Sequence, residues 1–481
     1  QLKQAHGQIQ TYVDKFAAKL KGSNEMQLKQ MLLALKNLLS HFEKWCTDAK
    51  PTGKAKEEVI SASQLVGKVG GTMDQVNLAQ LRNFLRDSQI ARKVSGYADK
   101  QAEKARMEMM KGDTADTIER RSNIASMHAI SNFLLSLAHA DRDGKVLLSL
   151  PYTPTTRARP APSAIDVVTP KMIIKYQLLN PSKSFSALVE DARSIVLAGG
   201  TMEPVSDLLM QVFPQIQPQK IARISCGHVI PSSNLLARVL PVGPKKRALE
   251  FKFENRDDHS LIDELGATLV NFTNMVPSGI VVFLPSYKVL ASYTERWKQN
   301  GQLASLGKKK KVFYEPQLAT EVEPVLRGYT AAIETPAPGQ NGALLFAVVG
   351  AKLSEGINFS DQLARAVIMV GLPFANAASA ELAERMRFAR EMAKGQPAAA
   401  NGDAGQELYI NMCMKAVNQS IGRAIRHQND FAALILLDAR YGRKNIQSKL
   451  PGWIRDEVKT VQAFPSVMRD LHMFFSSKRL G

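Results

Sequence analysis

Five short apolar runs punctuate the second part of this chain, and each ends in a cluster of small, kinked or polar residues. They lie at 195–197, 280–284, 344–349, 367–370 and 431–437, and the clusters behind them begin at Ala198, Pro285, Gly350, Gly371 and Asp438. A strand covered on one face alternates apolar and polar side chains. A strand covered on both faces has no polar side to show and reads as a continuous apolar run. Helix-length amphipathic segments separate the runs. From about residue 190 onward the sequence therefore predicts an α/β fold, with a mostly parallel sheet covered on both faces. In such sheets ligands collect beyond the carboxyl ends of the strands, which is where these clusters fall.

The first 150 residues follow a different period. Leu28, Met31, Leu32, Leu35, Leu38, Leu39 and Phe42 recur at helical spacing, with Asn24 placed to cap the start. Similar stripes run through 78–85 and 118–137. They predict the core of a helical bundle and carry no catalytic constellation. The stretch 152–163, with Pro154, Pro160 and Pro162, reads as a linker. A second low-complexity piece, 394–405, reads as a surface insertion after a helix ending near Met392.

Residues 419–427 read Q-S-I-G-R-A-I-R-H. On a helix, Gln419, Arg423 and Arg426 would share one stripe carrying an amide and two guanidiniums. Guanidiniums are permanently charged donor forks suited to phosphate, and two of them one turn apart suit a triphosphate whose end group is being transferred. A solvated basic helix face is the competing reading.

The clusters fall in a recognisable order. A-G-G-T-M-E-P at 198–204 resembles helicase motif III, F-L-P-S-Y at 283–287 motif IV, G-A-K-L-S-E-G-I-N-F at 350–359 motif V, and Q-S-I-G-R-A-I-R at 419–426 motif VI. The set resembles the XPD-like, iron–sulfur group of superfamily 2 DNA helicases. S-C-G-H-V-I-P at 225–231, S-E-G-I-N-F-S-D at 354–361, M-K-A-V-N-Q at 414–419 and K-L-P-G-W-I at 449–454 resemble its sister-chromatid-cohesion (chromosome-loss) branch. The likeness is strong from about 190 to 460 and weaker before that, for example in N-L-A-Q-L-R-N-F-L at 77–85.

The resemblance implies a RecA-like helicase domain preceded by a mainly helical, Arch-like region. Residues 1–165 would hold the tail of the first motor domain and the Arch domain. Residues 166–213 would return to the first motor domain with motif III, and 214–481 would form the second motor domain with motifs IV, V and VI. Arg423 and Arg426 would reach the γ-phosphate of ATP, and Gln419 would bond the phosphate or the attacking water. Gly356 would let the backbone approach the nucleotide, while Glu355 and Asn358 would face ribose or order the arginines. The family more often has Asp where Asn358 stands. Ser286 and Tyr287 would bind phosphate and stack on a base of single-stranded DNA, with Lys352 of motif V on the same track. Thr201 would relay nucleotide state to that track. Asp438 and Arg440 would brace the motif VI helix, and His228 and His427 read as isolated structural residues.

The implied activity is an ATP-dependent DNA helicase moving 5′ to 3′ on single-stranded and forked DNA, with ATP and Mg²⁺. The implied setting is the nucleus, among replication, repair and cohesion proteins. A non-catalytic DNA-binding or scaffold module is the alternative. The chain departs from the family in lacking the phosphate loop and the D-E-A-H box. P-T-G-K-A at 51–55 fails the loop pattern, because Asp48 stands where Gly is needed and Ala55 where a hydroxyl is needed. Both elements precede the matched region in the family, as do the cysteines of the 4Fe–4S cluster. The chain, which begins at Gln1, therefore looks like the carboxyl-terminal half of such an enzyme. Cys46, Cys226 and Cys413 are too few and too far apart to ligate a cluster themselves.

Charge agrees with a polyanionic partner. Lys and Arg number 63 against 44 Asp and Glu, a net charge of +19 over 481 residues. No apolar run is long enough to span a bilayer, so a membrane is not an expected partner. The four-lysine run at 308–311 fits either a contact with the DNA backbone or a solvated loop.

Overall fold

The helix Gly22–Ala49 forms because its apolar residues return every third or fourth position. Leu28, Met31, Leu32, Leu35, Leu38 and Phe42 all end up buried on that stripe. The helix starts at Gly22, so Asn24 lies inside the first turn and is not its cap. Asn77 does cap the helix Leu78–Ser88, its side chain accepting from the Gln80 N–H at 3.0 Å. The computed structural model describes the chain except residues 17, 19–20, 50–55, 71–75, 110–117, 139–142, 151–171, 228–229, 354–358, 360, 395–401 and 480–481. The expected linker at 152–163 lies outside the described residues.

Two compact units emerge, 1–181 with 378–385, and 182–377 with 386–481. The expected return segment 166–213 is thus divided between them. In the first unit the helices share a core with a three-stranded antiparallel sheet that helical periodicity did not foresee. Its strands are β1 (Lys56–Ser61), β2 (Gly144–Leu150) and β3 (Ile173–Leu178), with β2 in the middle. Val146, Leu148 and Leu150 on β2 enter the core formed by Leu28, Leu35 and Leu134.

The second unit holds a parallel sheet of seven strands. These are β4 (Leu235–Val239), β5 (Ser278–Leu284), β6 (Lys311–Tyr314), β7 (Gly342–Val348), β8 (Ala366–Val370), β9 (Ala432–Leu437) and β10 (Lys459–Thr460). Their order is β10-β4-β9-β8-β5-β7-β6. Along β5, Val281 and Phe283 face one core and Ile280, Val282 and Leu284 the other. The first core is covered by the helices Val322–Glu334 and Ala404–Ile421. The second is covered by His259–Met275, Tyr287–Gln299, Gln302–Lys309 and Phe464–Arg479. Burial on both faces accounts for the unbroken apolar runs. At about 1.5–3 kcal/mol for each large side chain withdrawn from water, it is the main term holding the sheet.

Four of the five apolar runs are strands of this sheet. The run at 195–197 is not, and Val196 is 87% exposed. No strand pairs with it among the described residues, and a strand without a neighbour leaves its N–H and C=O groups unmatched. The lysine run is not a loop. Lys308 and Lys309 end the helix Gln302–Lys309, and Lys311 opens β6. Lys310 is fully buried, its Nζ donating to the Ser278 carbonyl at 2.7 Å and the Asn341 carbonyl at 3.3 Å. Residues 395–401 lie outside the described residues, but the helices Ala380–Ala393 and Ala404–Ile421 flank them as expected.

Candidate functional site

The helix Ala404–Ile421 starts at Asp403, whose carboxylate accepts the Gly405 N–H at 2.9 Å. Cys413, Met414, Val417 and Ile421 bind it to the sheet. The helix stops at Ile421 and Gly422 caps it, so Arg423 and Arg426 do not continue the Gln419 stripe. They stand in the turn that follows. Ala424 and Ile425 are buried and pin that turn, leaving Arg423 half-buried and Arg426 exposed. A Cβ on Gly422 would meet Thr201 Cγ2 at 2.9 Å, which explains a glycine at the place where motif III crosses the end of the helix.

The turn is tied down by Asp430, a carboxylate 1% exposed just before β9. Its Oδ2 accepts the Arg426 N–H at 3.2 Å, and its Oδ1 accepts from Arg365 Nη1 at 2.9 Å and from the Phe431 N–H at 2.9 Å. The Arg365 guanidinium also lies over the Phe431 ring, 3.8 Å from its centre. His427 is not isolated, since its Nε2 lies 2.9 Å from Asp361 Oδ1. Asp361, His427 and Asp430 bring possible metal ligands within 4.8 Å of one another. Both Asp430 oxygens are already taken by Arg365 and by backbone N–H groups, so the cluster is built as an ion-pair lattice.

Gln419, Arg423 and Arg426 line one wall of a cleft of about 1720 Å³, and Thr201 and its neighbours line another. Of the described residues lining it, six are basic: Arg193, Lys220, Arg223, Arg423, Arg426 and Arg455. One is acidic, Glu203, and it is paired with Arg223 at 2.7 Å. Partial desolvation, followed by the charge of Arg423, pushes the Arg426 guanidinium below its ordinary value. Arg193, Lys220, Arg223 and Arg455 lie outside the motif strings, and only their nearness to the motifs in sequence could have pointed to them. Asn418 holds the walls together, donating to the Glu203 carbonyl at 3.0 Å and the Lys449 carbonyl at 2.8 Å. Lys415 and Asp207 pair beside it.

This cleft sits by the amino ends of β4, β9 and β10, opposite to the expected carboxyl edge. The carboxyl edge carries Ser286, Tyr287 and Lys352, just past β5 and β7. Ser286 caps the helix Tyr287–Gln299, accepting from the Val289 N–H at 3.3 Å. The Tyr287 hydroxyl donates to the Pro316 carbonyl at 3.1 Å, and Lys352 Nζ donates to the Gln317 carbonyl at 2.7 Å. Strands of seven residues put the two edges about 20 Å apart. The structure thus groups Thr201 with the arginines and separates it from Ser286, Tyr287 and Lys352. Glu355, Gly356, Asn358 and His228 lie outside the described residues. Asp438 and Arg440 do brace, but their target is the segment before the helix His259–Met275. Asp438 accepts the Phe251 N–H at 2.9 Å, and Arg440 donates to the Phe251 carbonyl at 3.1 Å.

A cleft with six cations and one paired carboxylate can hold a chain of phosphates. It offers no free carboxylate pair for Mg²⁺ among its described lining residues. Comparisons with known proteins identify the family. The family model "Helicase C-terminal domain" matches residues 269–457. "ATP-dependent DNA helicase CHL1" of Debaryomyces hansenii is 37% identical across 98% of this chain and 54% of its own length. "ATP-dependent DNA helicase DDX11" is 35% identical in both Danio rerio and Mus musculus. The matches cover 100% and 99% of this chain, and 55% and 54% of those proteins. The chain therefore spans about half the length of the curated relatives it matches. Motifs IV and VI at the ends of a parallel α/β sheet, with this similarity along nearly the whole chain, make it a member of the XPD-like superfamily 2 helicases, in the CHL1/DDX11 branch.

Proposed function

We propose that this chain is the carboxyl-terminal half of an ATP-dependent DNA helicase that translocates 5′ to 3′ on single-stranded and forked DNA. The observation that carries the reading is the cationic cleft, where the motif VI arginines face motif III across Gly422. ATP would bind with its phosphates toward Arg423 and Arg426. Those groups would stabilise charge that develops as the terminal phosphoryl passes to water. Mg²⁺, the phosphate loop and a 4Fe–4S cluster would be supplied by residues outside this chain.

The expected three-part organisation belongs to the same proposal. Residues 1–165 serve as the tail of the first motor domain with the Arch, 166–213 as its return, and 214–481 as the second motor domain. Exposed Val196 and Ile224 beside the cleft would be covered by the rest of the first motor domain. Ser286, Tyr287 and Lys352 would track the DNA strand along the other edge of the sheet. Under this reading the protein works in the nucleus, in replication, repair and chromosome cohesion.

Unwinding by the complete protein tests this. A duplex with a 5′ single-stranded tail should be opened when ATP is supplied, and one with a 3′ tail should not. DNA binding without ATP-driven strand separation on either substrate would overturn the motor reading in favour of a scaffold.

A further inference from the structure

Three consecutive residues past the edge strand β6 hold motifs IV and V together. The Glu315 N–H continues the ladder, donating to the Phe346 carbonyl at 2.8 Å. Its carboxylate turns inward and is 5% exposed. A carboxylate withdrawn from water is costly unless it is hydrogen-bonded. Here it accepts the Leu353 N–H at 2.8 Å and the Val348 N–H at 3.4 Å, on either side of the turn at Gly350. Pro316 and Gln317 take the next two contacts through their carbonyls, from the Tyr287 hydroxyl and Lys352 Nζ. One tripeptide thus meets the backbone around Lys352, the tip of Tyr287 and the amine of Lys352.

We propose that residues 315–317 clamp motif IV to motif V, and that Glu315 is a positioning residue for the DNA contact made by Lys352. This rests on the reading of Ser286, Tyr287 and Lys352 as the DNA-facing residues. The carboxylate fixes the N–H of Leu353, which is fully buried, and so fixes the exposed residue just before it. Lys352 is a long chain whose reach is set by its Cα and by the Gln317 carbonyl. With both held, its ammonium is fixed relative to Tyr287, whose hydroxyl is tied to the neighbouring Pro316 carbonyl, so the two side chains are presented together to one strand. Burial pushes the Glu315 carboxyl up, the two N–H groups pull it back, and Lys352 adds to that pull. The clamp is therefore electrostatically joined to the residue it positions.

The test is binding of fluorescein-labelled dT20 by this chain, read as anisotropy over a range of salt. Lys352→Ala should weaken binding several-fold and lower the salt slope by about one. Glu315→Gln keeps one oxygen for two N–H donors and should weaken binding about 5-fold. It should lower the slope similarly, and it should add almost nothing in a Lys352→Ala background. Additive losses in the double variant would overturn the clamp, since Glu315 would then not act through Lys352. A Lys352→Ala variant with unchanged affinity and slope would overturn the contact reading and the clamp with it. If Glu315→Gln fails to fold, Tyr287→Phe releases the clamp from its other side. Its loss should likewise be less than additive with Lys352→Ala, and full additivity would refute the proposal.

Discussion

The two edges of the seven-stranded sheet are built in opposite ways. At the amino edge the functional groups are cations in irregular turns, and their geometry comes from buried charge: Asp430 with Arg365, and Lys415 with Asp207. At the carboxyl edge the groups stand at strand ends and a helix start. Their geometry comes mainly from neutral acceptors, Ser286 as a cap and the Pro316 and Gln317 carbonyls, and its one buried carboxylate, Glu315, holds backbone N–H groups and not a guanidinium or an amine. The contrast follows from what each edge would meet. Cations brought close together to face phosphate need buried anions behind them to fix their direction. A strand of nucleic acid sliding past needs regular, sequence-tolerant contacts instead.

Arginine loss should separate the edges most sharply. In the complete protein Arg426→Ala should lower DNA-stimulated ATP hydrolysis on the order of 10³-fold, the low end for a finger arginine. Nucleotide affinity should change far less, because the group acts on charge formed in the transition state. DNA affinity should survive, because Arg426 and Lys352 belong to different edges. Normal hydrolysis with lost DNA binding would merge the two edges into one surface and remove the assignment.

The next largest effect is on stability. Asp430→Ala leaves the Arg365 guanidinium, 8% exposed, without its carboxylate. Breaking a buried pair from one side costs about 3 kcal/mol or more, here in a turn that also loses the acceptor for the Arg426 N–H. Urea unfolding should show the midpoint falling. At the carboxyl edge Ser286→Ala removes only a cap and should cost about 1 kcal/mol. Equal costs would mean that buried charge does not organise the amino edge.

Much of this was legible in the sequence, and the misses have physical causes. β5, β7, β8 and β9 announced themselves because both faces are buried. The run at 195–197 gave the same signal without becoming a strand, since periodicity reports burial potential and not the presence of a neighbour. β6 hid behind lysines, because a lysine can be buried when carbonyls meet its amine. The residues of motif VI line one cleft, but they do not share one helix as their spacing suggests. Gly422 signals a helix end, and treating 419–426 as one helix ignored it. Asp430 and Glu315 escaped notice because lone carboxylates in a sequence do not reveal which N–H groups will surround them.

The amino edge also holds Lys310, between the starts of β5 and β7, and it gives that edge a pH dependence. Burial brings its amine down to about 7 from an ordinary value of 10.5. Between those values the unfolded chain holds the extra proton, so stability should rise with pH across that window and be flat below about 7. The gain between pH 7 and 9 is about 2 kcal/mol, once the two carbonyls that favour the charged amine are counted. Lys310→Met should lose that rise in thermal or urea melts. An unchanged slope in this variant would assign the dependence to other groups.

The smallest effect concerns the seam between motif III and motif VI. Ala at 422 would place its Cβ 2.9 Å from Thr201 Cγ2 and 3.0 Å from the Asn418 carbonyl oxygen. A side-chain methyl can give way more cheaply than backbone, so Gly422→Ala should cost about 1 kcal/mol, at the low end for overpacking. Thr201→Ser removes that methyl and keeps the hydroxyl. On its own it should be nearly neutral, and combined with Gly422→Ala it should restore most of the loss, a coupling that a double-mutant cycle isolates. In the complete protein the same cycle should appear in DNA-stimulated hydrolysis and not in DNA affinity, because Thr201 lines the arginine cleft and not the Tyr287 edge. A cycle that closes without coupling in stability would show that the two motifs do not press on each other. Coupling in DNA affinity instead of hydrolysis would move Thr201 to the other edge in function, whatever its place in the fold.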